Sequence, residues 1–226
     1  MLDKTKTDEI LGYSVNQYLT EKGVQTPMLD DCGDETSLTD KDKRKLISDN
    51  IKSIMTVLNL DLNDDSLKDT PNRVAKMFVN EIYWGLDYKN FPKCKTVENK
   101  MNYNEMVLEK DVKVMSQCEH HLVLISGLAQ IAYLPKDKVI GLSKLNRIVE
   151  YFSRRPQIQE RLTEQIFYAL EYILGTSDIA VIINAEHYCV KSRGVEDINS
   201  STFTSKLGGK FMSQASLRSE LMSLIK

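Results

Sequence analysis

A chain of 226 residues with 42% apolar and 27% charged side chains has the composition of an ordinary soluble globular protein, long enough for one sizeable core or a core with an appended arm. A net charge of −2 and a pI near 6.0 exclude a nucleic-acid binder that works by bulk electrostatics, so any phosphate must be held by a local cluster. Apolar runs such as Ile179-Ala180-Val181-Ile182-Ile183 are far shorter than the roughly 20 residues of a membrane span. Four cysteines, unevenly spaced and with no apolar leader after the polar stretch 1–7, predict a reducing cytoplasm and no membrane contact.

In chain order, Ile10, Leu11, Val15, Tyr18 and Leu19 form an apolar stripe that predicts a helix stopped by Gly23. The acidic segment 30–35 reads as a loop. Thr39-Asp40-Lys41-Asp42 resembles a capping box with Asp as its fourth residue, and Ile47, Ile51, Ile54, Met55 and Leu58 follow at helical spacing. Thr70 as N-cap and Pro71 as first helical residue open another amphipathic helix, with Val74, Phe78, Val79 and Ile82 on one face. Residues 1–100 are thus expected to form a helical arm for packing and assembly.

After Lys100 the period changes. Met106, Leu108, Val112 and Val114 alternate as strand residues do, and β-branched and small residues continue over 123–134, predicting two antiparallel strands around a turn at Cys118. Ser143 is expected to cap a short helix and Pro156 to interrupt the chain. Ile158, Leu162, Ile166, Ala169, Leu170 and Ile173 then mark a long helix ending at Gly175. A buried strand over 179–190, a Thr/Ser-rich partner strand over 200–205 and a helix with Leu217, Leu221 and Leu224 complete the chain. This order predicts an α+β domain over 101–226, an antiparallel sheet with helices on one face.

All three histidines of the chain lie in two short segments, Cys118-Glu119-His120-His121 and His187-Tyr188-Cys189, beside two of the four cysteines. Two thiolates and an imidazole suit Zn2+, and three protein ligands leave the fourth position open, as in a catalytic rather than a structural zinc site. Alternation along a strand turns His187 and Cys189 to the same face. His187 is then either a fourth ligand that closes the site or an acid/base group beside the metal, and His120, next to His121, poses the same question. Cys32 and Cys94 lack such company and read as bystanders. A basic cluster is expected around this centre: Lys136, Lys138, Lys144, Arg147, Arg154, Arg155 and Arg161, with Lys191 and Arg193 following Cys189. Lys144 and Arg147 fall in the first turn after Ser143, where free N–H groups of a helix N-terminus also favour an anion.

Four motifs carry a resemblance over nearly the whole chain: Cys118-Glu119-His120-His121, then the run 141–147 (GLSKLNR), then 155–163 (RPQIQERLT), then 187–194 (HYCVKSRG). In this order they resemble GTP cyclohydrolase I of the zinc-dependent bacterial type. The resemblance implies conversion of GTP and water to formate and 7,8-dihydroneopterin triphosphate, at the head of tetrahydrofolate biosynthesis. It implies Cys118, His121 and Cys189 as zinc ligands, with the zinc activating water for attack at purine C8, and His120 and His187 as acid/base groups. It implies Ser143, Lys144, Arg147 and Arg193 as triphosphate and ribose contacts, Arg73 arriving from a neighbouring subunit, and Gln159 and Glu160 as guanine contacts. The implied fold is the tunnelling fold, assembled as a toroidal homodecamer of two stacked pentamers. Two other readings remain: a related pterin or deazaguanine enzyme of the same fold, among which the pterin synthases bind zinc through three histidines, and a non-catalytic zinc-stabilised module with His187 as fourth ligand.

Overall fold

The computed structural model describes residues 2–28 and 38–226; the expected acidic loop and Cys32 lie outside them. The chain forms two compact units, Met1–Leu2 with Pro27–Trp84, and Asp3–Thr26 with Gly85–Lys226. Neither boundary falls at residue 100, because the first helix and the segment 85–100 belong to the larger unit.

In the smaller unit, α2 (Asp40–Val57) starts at the capping box. Thr39 accepts the Asp42 N–H through its hydroxyl oxygen, and the hydroxyl donates to Asp42 Oδ2 at 2.6 Å. The α2 stripe is only partly covered: Met55 is buried, but Ile54 and Leu58 stay 54% and 64% exposed. Helix α3 (Thr70–Met77) begins one residue earlier than expected, with Asp69 as N-cap, since the Asp69 carbonyl already accepts the Arg73 N–H at 3.1 Å. A π-helical turn, Phe78–Ile82, extends α3.

The larger unit opens with α1 (Glu9–Glu21), where Asp8 accepts the Leu11 N–H at 3.0 Å. Val15 and Leu19 are buried, Ile10 is not, and Gly23 ends the helix at φ 70°. A ribbon of β1 (Thr96–Glu98) with β4 (Lys138–Ile140) stands apart from the main sheet. That sheet runs in the order β5-β2-β3-β6-β7, with β2 (Val107–Cys118), β3 (Leu124–Tyr133), β6 (Ile179–His187) and β7 (Thr202–Leu207) antiparallel. It is not wholly antiparallel: β5 (Pro156–Gln157) pairs parallel to the end of β2, bringing Gln157 opposite Cys118. A bulge between Glu109 and Val112 is pinned by Gln130, whose side chain exchanges two hydrogen bonds with Asp111.

Beneath one face lie α4 (Leu142–Ser153) and α5 (Gln159–Leu174). Leu162, Ile166, Ala169 and Leu170 of α5 are fully buried, as the predicted stripe requires, and Gly175 closes the helix in the left-handed conformation. Burying each Leu or Ile contributes about 1.5–3 kcal/mol. The opposite face is not bare. Leu108, Ala132, Ala180 and Leu207 stand in register across four strands, so their side chains share the other face, and Phe211 and Leu221 of the C-terminal helices α7 (Gly209–Ser213) and α8 (Ala215–Leu224) pack on it. Helices thus cover both faces rather than one. Among the described residues, no helix is long and apolar enough to cross a membrane.

Candidate metal centre and active site

Strand β2 ends at Cys118, and the chain reverses within five residues. Cys118 N–H donates to Val123 O and Leu122 N–H to Cys118 O, each at 2.8 Å, and Leu122 closes the loop at φ 53°. That left-handed conformation costs an apolar L-residue on the order of 1–2 kcal/mol. The loop brings both histidines back to the strand end: His120 Nδ1 lies 3.8 Å and His121 Nδ1 3.9 Å from Cys118 Sγ. A tight turn at 118–122 thus places His120, as well as His121, beside Cys118.

The strand expected over 179–190 stops at His187, and Tyr188–Lys191 form a single helical turn, α6. Cys189 therefore reaches the centre from a helical turn, not by strand alternation. The ligand atoms of Cys118, His121 and Cys189 all lie within 4.8 Å of one another. Bonds of about 2.3 Å to sulfur and 2.0–2.1 Å to nitrogen in a tetrahedron put ligand atoms roughly 3.5–3.8 Å apart, so this set fits one ion with modest closing. Burial and the neighbouring Cys118 thiol both push the Cys189 thiol up. A cation between the two sulfurs removes that conflict by favouring both thiolates.

His187 lies outside the ligand group. Its Nε2 is 2.8 Å from Gln159 Oε1, and burial lowers its pKa, partly opposed by the negative charge of Glu160. Gln159, expected at guanine, is buried at the head of α5. Glu160, the next residue, is exposed. Its two basic neighbours are engaged elsewhere, because Arg161 pairs with Glu119 through two hydrogen bonds and Arg155 is fully buried.

The basic cluster does not surround the centre. The Arg155 guanidinium is stacked on the rings of Tyr88, Tyr151 and Phe152, at 5.3, 4.7 and 5.0 Å, and donates to Thr26 Oγ1 and Gly85 O, which makes it a core residue. Arg154 pairs with Glu150 and Lys191 with Glu186. Ser143 is not a cap: Gly141 is the N-cap of α4 and Ser143 lies inside the first turn. Ser143, Lys144 and Arg147 belong to the far end of the sheet. Asn146, on their turn, reaches Glu109 Oε1 at 2.9 Å when its amide is oriented to donate, and nine residues of strand at about 3.3 Å each separate Glu109 from Cys118. The charges of Lys144 and Arg147 are felt instead by Cys94. Only Arg193 joins the metal group, its Nη1 2.8 Å from His121 Nε2. Arg73, in the smaller unit, is held by Asp69 at 3.2 Å.

Sequence reasoning passed over two further groups near the centre. Glu119 lies 3.9 Å from His120 as well as holding Arg161, and Thr204 of β7 anchors Gln159. Their positions inside the Cys118 motif and a Thr-rich strand were the available signals.

Residues 47–226 match the family described as GTP cyclohydrolase I. The chain is similar to GTP cyclohydrolase 1 of Erwinia tasmaniensis, 52% identical over 212 residues that cover 94% of this chain and 95% of that one. It is 53% identical to GTP cyclohydrolase 1 of Tolumonas auensis over 209 residues, 92% and 94% of the two chains. Against GTP cyclohydrolase 1 of Aliivibrio fischeri the identity is 50% over 94% and 95%.

Proposed function

The chain belongs to the GTP cyclohydrolase I family, and on that premise we propose a zinc-dependent reaction carried by residues that separate copies of the chain bring together. The protein is an enzyme that converts GTP and water to formate and 7,8-dihydroneopterin triphosphate, the first step of tetrahydrofolate biosynthesis. The observation that carries the site assignment is the convergence of Cys118, His121 and Cys189 from a strand end, a loop and a helical turn.

Those three residues hold Zn2+, whose sulfur and nitrogen preferences match the donor set. When bound, the ion supplies Lewis-acid activation of water at neutral pH. His187 and His120 carry protons as the imidazole ring of the purine opens at C8 and formate leaves; rearrangement of the ribose and ring closure follow. Burial keeps His187 neutral near pH 7, ready to accept a proton. Glu160 offers two acceptor oxygens to the N1–H and N2 amine of guanine, a pair of donors that adenine lacks. Ser143, Lys144, Arg147, Arg193 and Arg73 bind the triphosphate and ribose.

The separation of Lys144 and Arg147 from Cys118 supports a site shared between copies, because neither side chain spans that length of strand. We read the assembly as a toroidal decamer of two stacked pentamers built on the tunnelling fold. The open edge of β7 and the uncovered stripe of α2 support that reading. The helical segments before residue 100 serve assembly, and 101–226 carry the catalytic domain. A thiolate metal site suits a reducing cytoplasm. Incubation with GTP tests the reaction: formate and, after oxidation, a fluorescent neopterin product are expected, and unchanged GTP contradicts it.

A further inference from the structure

The residue that touches His187 is Gln159, and we propose that Gln159 is a positioning residue that locks the tautomer of His187 rather than a reader of guanine. The proposal rests on the reading of His187 as a proton carrier given above.

Gln159 is 1% exposed. Its Nε2 lies 3.1 Å from Ile183 O, 2.9 Å from Thr202 O and 3.0 Å from Thr204 Oγ1. The two carbonyls can only accept, so the amide nitrogen must face them and the amide oxygen must face His187. An amide oxygen has no proton to give. The hydrogen in the 2.8 Å contact therefore sits on His187 Nε2, and the neutral ring keeps its lone pair on Nδ1. Both N–H groups of the amide are spent on the core, which leaves no side-chain donor for a base.

The protons of the surrounding network are also consistent with this orientation. The Thr163 hydroxyl donates to Gln159 O at 2.9 Å, so in its 2.7 Å contact with Thr204 the Thr204 hydroxyl is the donor. Thr204 Oγ1 is then free to accept from the Gln159 amide. Helix α5 and strands β6 and β7 together hold one amide in one orientation, and that amide holds one imidazole. A base in the wrong tautomer presents an N–H where a lone pair is needed, and its contribution to rate is lost.

The test uses the zinc-loaded, assembled enzyme labelled with ¹⁵N-histidine, where three imidazoles per chain keep the spectrum simple. Solid-state ¹⁵N spectra are recorded where the rings are neutral, and His187 is assigned by loss of its signals in His187→Gln. In the wild type, His187 should show a protonated Nε2 and a bare Nδ1 as a single form. In Gln159→Met the two forms should mix, and kcat should fall by about 10²-fold, while zinc content, KM for GTP and preference over inosine triphosphate hold. A wild-type His187 protonated on Nδ1 overturns the proposal. So does a Gln159→Met enzyme that keeps the single tautomer, or one that keeps kcat but loses affinity or preference for guanine. Should Gln159→Met fail to assemble, the wild-type spectrum decides alone. A wild type that releases no formate from GTP defeats the functional reading and leaves the tautomer to be judged on its spectrum.

Discussion

Two inactive variants should restore activity when they assemble together. One copy carries Lys144→Ala with Arg147→Ala, removing the phosphate-binding end; the other carries His187→Ala, removing a proton carrier at the metal end. The phosphate end, at the start of helix α4, and the metal end are separated by roughly 30 Å of strand β2, from Glu109 beside Asn146 to Cys118. No lysine or arginine side chain closes that gap within one copy. If each site takes its metal end from one copy and its phosphate end from another, random assortment of a 1:1 mixture leaves about a quarter of the sites with two intact halves. The assay is formate release from GTP after co-expression with two affinity tags and sequential purification. Roughly a quarter of wild-type activity per site is expected, with each parent near background. If both ends served one site within a copy, every chain in the mixture would carry a defect, and activity at the parental level would refute the shared site.

Alanine at Cys118, His121 or Cys189 should abolish metal binding and turnover together, whereas His187→Ala or His120→Ala should keep the metal and lose turnover; metal analysis beside the GTP assay distinguishes the two outcomes. Glu160→Gln should lower kcat/KM for GTP by about 10²-fold or more with oligomeric state unchanged, because the guanine donors lose an ionic acceptor. A near wild-type value removes Glu160 from the guanine site. Burial pushes the Cys94 thiol up to about 12 from 9.0. Native Cys94 should therefore be alkylated by iodoacetamide at pH 8 roughly 10³-fold more slowly than in unfolded protein, as read by peptide mass spectrometry. The sign of the linkage follows: the stability conferred by keeping this thiol neutral is complete below pH 9 and is lost as pH rises toward 12, so denaturation midpoints should fall across that window more than in a Cys94→Ala variant.

Strand and helix periodicity made most of the larger unit legible, since a stripe such as Leu162, Ile166, Ala169 and Leu170 has one way to be buried. The metal residues were legible from rarity and chemistry, three histidines beside two cysteines. What sequence could not give was set by long-range contacts. A tight turn, in which the His121 and Leu122 N–H groups both donate to Cys118 O, brings His120 beside Cys118, where strand alternation alone would point it away. Arg155 stands among basic residues in sequence yet is drawn into an aromatic cage made by Tyr88 and by Tyr151 and Phe152 of α4. Gln159 sits beside Glu160, but helix geometry sends their side chains to opposite environments, one to the core and one to solvent. The second sheet face looked open because its cover, Phe211 and Leu221, comes from the last residues of the chain.

The most direct measurement follows metal content and GTP turnover on the same preparations as metal is stripped by a chelator and then restored with Zn2+. About one zinc per chain is expected, with formate release falling in proportion to the metal removed and returning with it. Formate release that persists in protein freed of metal would contradict the account, as would a tightly held zinc that makes no difference to the rate.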